Sequence, residues 1–372
     1  MHRAHLIRMY PTKEQEVMLK KTAGTTRYVY NWALDKWKSM YSDWMEDHSK
    51  QKPSFSILSN IWTATKPEWA HEIACSPQQN AIKNLGAAFQ NLWRGTGKYP
   101  TFHKKGRKDS FTVANDKARI YGDRISLPNI GRVKLAEEPR FEGKVMSYTV
   151  SHYAGQWHVS IQYELSDSLP HPNNPTSVVG IDVGLKHIAV ASDGTVCDAP
   201  ESLKKLDKKL RKVQREVSKK QKGSNNRAKA LLKKQRIQNK INNIRKDVTH
   251  KFTTAITKNH GIVVTEDLHI QEMKNKAQYK SLRRSFAASM MGMILWQLKY
   301  KALEYHTVDR FYPSTKMCSS CGNVKDHIDL GERVYRCEHC GAVIDRDLNA
   351  AINLKNAGPV RPEAPVDSVD IR

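Results

Sequence analysis

The stretch that decides the fold reads SVVGIDVG and spans residues 177–184. Its apolar run is typical of a buried strand, and an acid inside it, Asp182, costs free energy unless the carboxylate has a partner. A second apolar run, IVVTE at residues 262–266, ends in Glu266 in the same way. These two segments predict neighbouring buried strands that each carry an acid toward one site.

Two further acids, Asp345 and Asp347, open the helical segment DRDLNAA. Carboxylates that converge from two strand ends and a helix can hold two Mg²⁺ ions about 4 Å apart, which activate a water and stabilise the leaving oxygen of a phosphodiester. One of the two aspartates is expected to cap the helix instead. Asp182 could also bind a phosphate-linked cation in an actin-like ATPase, although no later Gly-rich phosphate loop follows. Asp267 is expected to point to the opposite strand face and to be structural.

Two C-x-x-C pairs, with fifteen residues between them, predict a zinc site. Each pair brings two thiolates to one side of the ion, and Gly322 and Gly341 follow the pairs where a tight turn favours positive φ. His339 could replace a thiol but is expected to face solvent. Four thiolates leave no open position, so the zinc is expected to be structural. The predicted ligands are Cys318, Cys321, Cys337 and Cys340.

The composition predicts a polyanionic partner. The 372 residues contain 62 Lys and Arg against 37 Asp and Glu, a formal net charge of +25, with a mean hydropathy of −0.65. This excess runs along nearly the whole chain, whereas basic membrane anchors concentrate their charge locally. No apolar run is long enough to span a bilayer, and the first residues do not resemble a secretory leader. We expect a soluble, cytoplasmic, nucleoid-associated protein of a prokaryotic cell.

The pattern of apolar residues predicts a multidomain α+β protein. Residues 1–10 alternate as a strand and residues 11–95 have helical spacing, with a helix capped by Ser76. Short strands up to about residue 165 suggest a small β-barrel, which residues 1–10 could complete. Further predictions are a linker over 167–176, two long helices within 201–260, a helix over 290–305, a strand over 307–311 and a disordered tail from Pro359.

Two basic surfaces are predicted to contact phosphates, although a charge run is often only a solvated face. The first is the cationic side of the predicted helix pair, which includes Lys208, Lys209, Arg211, Lys212 and Arg215. The second surrounds Tyr99 and Phe102. It includes Lys98, Lys104, Lys105, Arg107 and Lys108, and Arg27 lies in a separate aromatic-rich helical stretch.

In this order, the motifs GIDVG, VVTEDL, the four-cysteine finger and DRDLNAAINL resemble those of the TnpB family of transposon-encoded proteins. RYVYNWAL (27–34) and YPTFHKK (99–105) also look like that family, so the resemblance covers residues 1–358. The family is similar in turn to type V CRISPR effector nucleases. The segment Ala288-Ser289-Met290-Met291 departs from the family, because it stands where a small-residue-plus-Trp pattern is expected, with Trp296 only later.

The resemblance implies a wedge barrel (1–10 and 96–170) with a helical recognition insert (11–95), followed by an RNase H-like RuvC nuclease domain (171–312 and 343–358) with an inserted zinc finger (313–342). It implies that Asp182, Glu266 and Asp347 are the catalytic acids that bind two Mg²⁺ ions. It further implies a guide RNA from the transposon end, a double-stranded DNA target, and a target-adjacent motif read near Ser76 to Gln79, with Gln78 and Gln79 as contacts.

We therefore expect a transposon-encoded, RNA-guided DNA endonuclease that depends on Mg²⁺. Two alternatives remain open. One is an RNA-guided repressor that has lost cutting, which should lack one or more of the acids. The other is a transposase or transposase accessory protein, against which the absence of an evident His-x-His motif with a catalytic Tyr argues.

Overall fold

The computed structural model describes residues 2–106, 109–166, 172–329 and 331–359. The chain forms a multidomain α+β fold with two compact units, Met1–Ser168 and Leu169–Arg372. Among the described helices, none is both long and apolar enough to cross a bilayer. Arg107, Lys108 and the tail after Pro359, for which the sequence made predictions, lie outside the described residues.

The first unit combines three helices with seven strands. In chain order these are β1 (His2–Tyr10), α1 (Lys13–Glu46), α2 (Phe55–Thr65), α3 (Cys75–Trp93), β2 (Asp109–Ala114), β3 (Arg119–Tyr121), β4 (Arg124–Leu127), β5 (Gly131–Leu135), β6 (Lys144–Tyr153) and β7 (Gln156–Glu164); short 3₁₀ turns cover Glu68–Glu72 and Asn115–Lys117.

The strands of this unit form one antiparallel sheet in the order β2-β6-β7-β1-β5-β4-β3. Strand β1 lies between β7 and β5, and its side chains alternate between the two faces, so that His5, Ile7 and Met9 are buried while their neighbours are more exposed. This period of two is the expected signature of a sheet with one buried face. Residues 1–10 therefore join strands that lie more than a hundred residues later in the chain.

The segment between β1 and β2 forms the helical part of the unit. Helix α1 begins with a capping box in which Thr12 and Gln15 bond reciprocally. Trp37 stacks on Phe55 with ring centroids 4.5 Å apart and contacts Phe89 at 4.9 Å. These aromatic contacts join α1 to α2 and α3 in a core separate from that of the sheet.

The predicted cap of α3 is wrong. The helix begins at Cys75 and no side chain caps it. The Ser76 hydroxyl instead accepts a hydrogen bond from the backbone N–H of Ala114 at 3.0 Å, and the Asn80 amide donates to the Thr112 carbonyl at 3.2 Å. The sequence around Ser76 therefore serves contacts between α3 and β2, which local capping rules do not reveal.

The second unit contains a five-stranded sheet, a two-stranded hairpin and six helices within the described residues. In chain order these are β8 (Val178–Asp182), β9 (Ala189–Ala191), β10 (Val196–Cys197), α4 (Glu201–Lys219), α5 (Asn225–Asn259), β11 (Ile262–Glu266), α6 (Ile270–Lys276), α7 (Lys280–Ala288), α8 (Met291–Lys301), β12 (Glu304–Val308), β13 (Val334–Arg336), β14 (Val343–Asp345) and α9 (Arg346–Asn356).

The larger sheet has the strand order β10-β9-β8-β11-β12. Strand β9 pairs antiparallel with β8, whereas β11 pairs parallel with both β8 and β12. The residues of β8 and β11 are almost wholly buried before their last positions, as expected for central strands of a sheet that is covered on both faces.

The predicted boundaries after β11 are wrong. The helix predicted over 290–305 ends at Lys301, because residues 304–308 pair with β11 as β12. The strand predicted over 307–311 therefore begins three residues earlier. Helices α6 and α7 were not predicted at all. Their short length leaves little room for a periodic apolar pattern.

Helix α9 packs directly on β8 at Gly180. A Cβ atom added to Gly180 would overlap the Ala351 carbonyl oxygen and the Lys355 backbone nitrogen, and would lie 3.1 Å from the Leu354 carbonyl carbon. Real Cβ atoms almost never approach backbone this closely, and backbone cannot rotate away as a side chain can. The approach of the helix to the strand therefore requires glycine at this position.

We predict that Gly180→Ala lowers the stability of this unit, because the added methyl group pushes α9 away from β8. Overpacking of this kind costs at least about 1–3 kcal/mol, so the melting temperature should fall by about 3–9 °C for a unit of this size. Gly292→Ala is the matched control, because its added Cβ would meet only Ile270 at an ordinary 3.5 Å. Equal melting temperatures for the two variants would contradict this account of the packing.

Candidate functional site

The parallel pairing of β8 and β11 places two of the predicted acids side by side. Thr265 is in register with Ile181, so Glu266 follows at the same level as Asp182. Neighbouring strands lie about 4.8 Å apart, and residues in register on parallel strands point to the same face. Asp182 also lies two residues after Gly180, and therefore on the face that α9 covers.

The third acid comes from the first turn of α9. Asp345 is the N-cap: its Oδ1 accepts hydrogen bonds from the backbone N–H groups of Asp347 at 2.9 Å and of Leu348 at 3.1 Å. Asp347 keeps its carboxylate for other contacts, and its side chain is 15% exposed. The structure thus separates the two aspartates that the sequence left open, with one as cap and the other inside the acid cluster.

The electrostatics of Asp182 reflect both of the other acids. Burial, followed by the negative charges of Asp347 and Glu266, raises the pKa of Asp182 from 3.8 to about 7. Burial also raises the pKa of Glu266. A cluster of buried carboxylates is unfavourable without cations, and oxygen donors of this kind are the ligands that Mg²⁺ prefers. Among the described residues, however, the group whose ligand atoms already lie close enough together to hold a metal ion consists of cysteines and not of these acids.

Sequence reasoning missed a cation inside this cluster. The Arg346 side chain is 14% exposed, and its guanidinium lies 3.5 Å from the Asp347 carboxylate. Its positive charge also lowers the pKa of Asp182, opposing part of the rise caused by the acids. Arg346 lies between the two aspartates of the quoted motif, so its position was available in the sequence, but nothing in the spacing indicated its burial.

Asp267, expected to be structural, is exposed. Its carboxylate lies 3.8 Å from His269 Nε2, and its backbone N–H donates to the Val308 carbonyl. Asp267 therefore directly follows the strand that ends at Glu266, but its side chain lies near His269 and not near the other acids of the cluster.

The four predicted zinc ligands converge on one point. Their sulfur atoms lie within 4.8 Å of one another, with Cys318 and Cys340 at 3.7 Å and Cys321 and Cys337 at 3.6 Å. A tetrahedral site with Zn–S bonds of about 2.3 Å has sulfur–sulfur edges of about 3.8 Å, so the geometry fits zinc.

Backbone geometry supports this metal site. Gly322 and Gly341 adopt φ values of 76° and 73°. The backbone N–H groups of Cys340 and His339 lower the pKa of Cys337, whereas burial and hydrogen bonds with the other thiols raise the pKa of Cys321. Bound zinc would hold all four cysteines as thiolates. The His339 side chain is exposed and does not belong to the cluster of possible ligands among the described residues.

Helices α4 and α5 pack through apolar residues and leave the predicted cationic face exposed. Leu203, Leu210 and Val213 of α4 are buried against this core. Arg227 Nη1 closes the connection by donating to the Val217 and Lys220 carbonyls. The predicted contact residues are all exposed: Lys208, Lys209, Arg211, Lys212 and Arg215.

The second basic surface is fixed to α1. The Asn31 amide donates to the His103 carbonyl at 3.0 Å and its oxygen accepts from the His103 N–H at 2.7 Å. Tyr30 stacks on the His103 ring at 3.9 Å. This segment presents exposed Tyr99 and Phe102 together with exposed Lys98, Lys104 and Lys105.

Gln78 was predicted to contact nucleic acid, and the structure argues against that role. Its side chain is 1% exposed. Its amide oxygen accepts from Trp62 Nε1 at 2.9 Å, and its amide nitrogen donates to the Ala70 and Ile73 carbonyls. Because each polar atom is already used, Gln78 holds the helical core together, while Gln79 is exposed.

Arg27 is half-buried within the first unit. Its guanidinium forms an ion pair with Asp109 at 2.9 Å. It borders a cavity of about 540 Å³ with Tyr28 and Trp69, whose rings are 5.1 Å apart. Of the aromatic residues near Arg27 in α1, Tyr30 and Trp37 are buried core residues, whereas Tyr28 is exposed.

Known proteins match this chain over nearly its whole length. A profile described as Probable transposase matches residues 160–277, one described as Cas12f1-like, TNB domain matches 289–354, and a helix-turn-helix profile matches 1–43. In the structure this last segment holds one strand and most of one long helix.

Two relatives carry names of one class of nuclease. The chain is 33% identical to the Putative RNA-guided DNA endonuclease InsQ of Escherichia coli (strain K12), over 95% of this chain and 92% of that protein. It is also 33% identical to a Putative RNA-guided DNA endonuclease of Streptomyces pristinaespiralis, over 96% of this chain and 89% of that protein.

The fold is similar to that of a chain in a cryo-EM structure of the Cas12f1-sgRNA-target DNA complex. The TM-score is 0.56 at 15% identity, over 92% of this chain and 82% of the other. Sequence similarity thus places the protein with relatives named as RNA-guided DNA endonucleases, and its fold is like that of a Cas12f1 chain. The chain belongs to the TnpB family, whose OrfB profile it matches.

We predict that Asp182→Asn stabilises the metal-free protein. Because the folded-state pKa of about 7 lies above the ordinary 3.8, the folded protein holds the proton more tightly, and stability falls as the pH rises from about 4 to about 7. Asparagine removes this penalty, so the variant should melt about 3 °C or more above wild type at pH 8 and nearly with it at pH 4.

The measurement is thermal melting across this pH range in buffer without magnesium or manganese. Addition of Mg²⁺ should raise the melting temperature of wild type and leave that of the variant nearly unchanged. A variant that melts below wild type at pH 8 would contradict the assigned electrostatics.

Proposed function

We propose that this protein is a transposon-encoded, RNA-guided DNA endonuclease whose divalent-metal site is built from Asp182, Glu266 and Asp347. The observation that carries the proposal is the clustering of these three partly buried acids, since the negative charges of Asp347 and Glu266 act with burial to raise the pKa of Asp182. The names of the relatives agree with this activity.

The sheet of the second unit supports an RNase H-like, RuvC-type nuclease domain. Its order β10-β9-β8-β11-β12, with β9 antiparallel to its neighbours, is the arrangement that such a domain requires. The acids lie where the parallel strands β8 and β11 end, the edge at which open α/β sheets bind ligands. The sheet of the first unit, with its helical insert, would correspond to the wedge barrel and recognition region.

The chain's own residues define how the site works. Asp182 and Glu266 project from the rigid central strands, and Asp347 approaches from the first turn of α9, so the three carboxylates face one another from two layers. Arg346 supplies a fixed positive charge beside them. When bound, a pair of Mg²⁺ ions supplies the charge that activates an attacking water and stabilises the leaving oxygen of a phosphodiester.

The zinc-binding cysteines are assigned a structural role. Zinc in this site would have four thiolate ligands, and a closed tetrahedral site has no open position for water or substrate. Cutting is therefore assigned to the carboxylates alone.

Guide RNA and double-stranded target DNA are assigned to the basic surfaces. Base pairing with a guide from the transposon end would choose the sequence, while the protein would read backbone shape and a short adjacent duplex motif. The exposed cations of α4 suit phosphate contacts. Gln79 is the remaining candidate of the two glutamines for contact with the adjacent motif, and Arg27, Lys98, Lys104 and Lys105 are assigned to nucleic-acid contacts.

We predict that Asp182→Ala abolishes DNA cleavage, with the rate reduced by at least about a hundredfold, the order seen when one group that stabilises a transition state is lost. Binding of RNA and DNA should be nearly intact, because the substitution removes no cation. Asp267→Ala is the matched control, since this neighbouring acid is exposed and should leave cleavage unchanged.

The assay uses the purified protein with its copurified RNA, which is sequenced to define the target DNA, and Mg²⁺. A defined transcript supports guidance, whereas a random mixture indicates a nonspecific nuclease. Cleavage by Asp182→Ala at the wild-type rate would refute the metal site. Guided binding without cleavage by wild type would favour the repressor alternative.

We also predict that removal of three α4 cations weakens binding in a salt-dependent way. In Lys208→Ala/Lys209→Ala/Lys212→Ala, the slope of log affinity against log salt should become shallower by about two, because each lost phosphate contact removes somewhat less than one unit. Binding isotherms for the guide RNA between about 50 and 200 mM salt measure this slope.

The control removes three lysines that already face a carboxylate: Lys117 (2.9 Å from Asp116), Lys144 (3.6 Å from Glu164) and Lys251 (2.8 Å from Asp247). Both triple variants lose the same net charge, so an equal change in slope would show that net charge, and not the face of α4, governs binding.

A further inference from the structure

Two buried asparagines of α9 are bonded to the segment that carries the first zinc-binding pair. Asn349 Oδ1 accepts from the Ser319 backbone N–H at 2.9 Å, and its amide nitrogen donates to the Met317 carbonyl at 2.7 Å. Asn353 donates to the Met317 carbonyl at 2.6 Å and to the Ser314 carbonyl at 2.7 Å. Ser319 lies between Cys318 and Cys321. These bonds therefore reach into the turn that carries the first cysteine pair, Met317 to Cys321, which we call the zinc knuckle.

The burial of these side chains makes the hydrogen bonds costly to break. Asn349 is 0% and Asn353 is 1% exposed. An unpaired buried amide or carbonyl costs roughly 1–3 kcal/mol, so the knuckle and the helix can separate only if several polar groups lose their partners together. The two residues are four apart and therefore lie on one face of the helix.

The same helix carries the third acid. Asp347 lies two residues before Asn349, and the opposite contact of α9 is its close packing on Gly180 of β8. The chain also runs from the second cysteine pair through β14 straight into α9, and the Arg346 backbone N–H donates to the Arg333 carbonyl at 2.9 Å. Helix α9 is thus held between the zinc knuckle and the strand that carries Asp182.

We propose that Asn349 and Asn353 are positioning residues through which the zinc knuckle fixes Asp347 beside Asp182 and Glu266. Loss of zinc releases the Met317–Ser319 backbone, the bonds to the two asparagines break, and the divalent-metal site loses its third carboxylate. The inference rests on the proposed function for the identity of the metal site. Zinc bound by the four cysteines would then raise the affinity of the carboxylate site for divalent metal without being a part of that site.

The experiment compares Asn349→Leu and Asn353→Leu with Asn356→Leu. Leucine has nearly the shape of asparagine without its polar atoms, and Asn356 is an exposed residue in the last turn of the same helix. Zinc content, Mn²⁺ affinity by calorimetry and hydrogen exchange of residues 346–356 are measured for each protein. We expect Asn349→Leu and Asn353→Leu to bind Mn²⁺ about 10–100-fold more weakly, the usual cost of losing a residue that orients a metal ligand.

Each variant should retain zinc, and α9 should exchange faster in the two buried variants than in Asn356→Leu. If the buried variants hold zinc and bind Mn²⁺ as wild type does, the proposal is wrong. A merely structural role would lower the melting temperature without changing the Mn²⁺ affinity of the folded protein.

Wild type provides a second arm that does not depend on whether the variants fold. Zinc is withdrawn with a chelator that prefers zinc to manganese, and exchange of α9 and Mn²⁺ affinity are measured before and after. Unchanged exchange in α9 would overturn the coupling. If zinc-loaded wild type binds no Mn²⁺ at all, the proposed metal site fails, while exchange of α9 still decides whether the knuckle holds the helix.

Discussion

The contact between Gly180 and the backbone of α9 is the constraint on which the second unit depends. Without a side chain at this position, the helix can rest directly on β8, which brings Asp347 from a different layer of the fold toward Asp182. The parallel register of β8 and β11 supplies the remaining neighbour. The three acids need no flexible loop to be positioned, because each of them stands on a regular element.

Concentrated negative charge is the cost of that arrangement. Burial and like charges disfavour the ionised form of Asp182, and Arg346 offsets only part of the repulsion. Sites of this kind trade folded stability for readiness to bind cations. The zinc knuckle contacts the other side of the same helix. Its hydrogen bonds to Asn349 and Asn353 stabilise the position of α9 and so oppose the repulsion among the acids.

Sequence patterns predicted much of this architecture because several motifs are local. A short window of sequence is enough to detect each of three features: the apolar strands around Asp182 and Glu266, the spacing of the cysteines, and the apolar stripes of α4 and α5. Family resemblance could place Asp347 in the site, whereas the residues alone could not separate it from Asp345. In the structure, the Asp345 carboxylate is used as the N-cap of α9, which leaves the Asp347 carboxylate as the one near Asp182.

Features that depend on distant parts of the chain were not predictable from such windows. The hydroxyl of Ser76 bonds to β2 instead of capping its helix, and the buried Gln78 side chain bonds to Trp62 of the preceding helix and to the carbonyls of the turn between the two helices. Likewise, residues 304–308 form β12 and not the end of the predicted helix, because they pair with β11. Burial of Arg346, Asn349 and Asn353 reflects the packing of α9, which no local pattern records.

The order of elements along the chain has a consequence for synthesis on the ribosome. Strand β1 pairs with β7, with His2 opposite Glu164, so the first strand emerges long before its partner does. Asp182 and Glu266 likewise appear well before α9, and domains tend to fold from the N-terminus as they are made. The cluster of Asp182, Glu266 and Asp347 therefore cannot form until α9 has emerged from the ribosome.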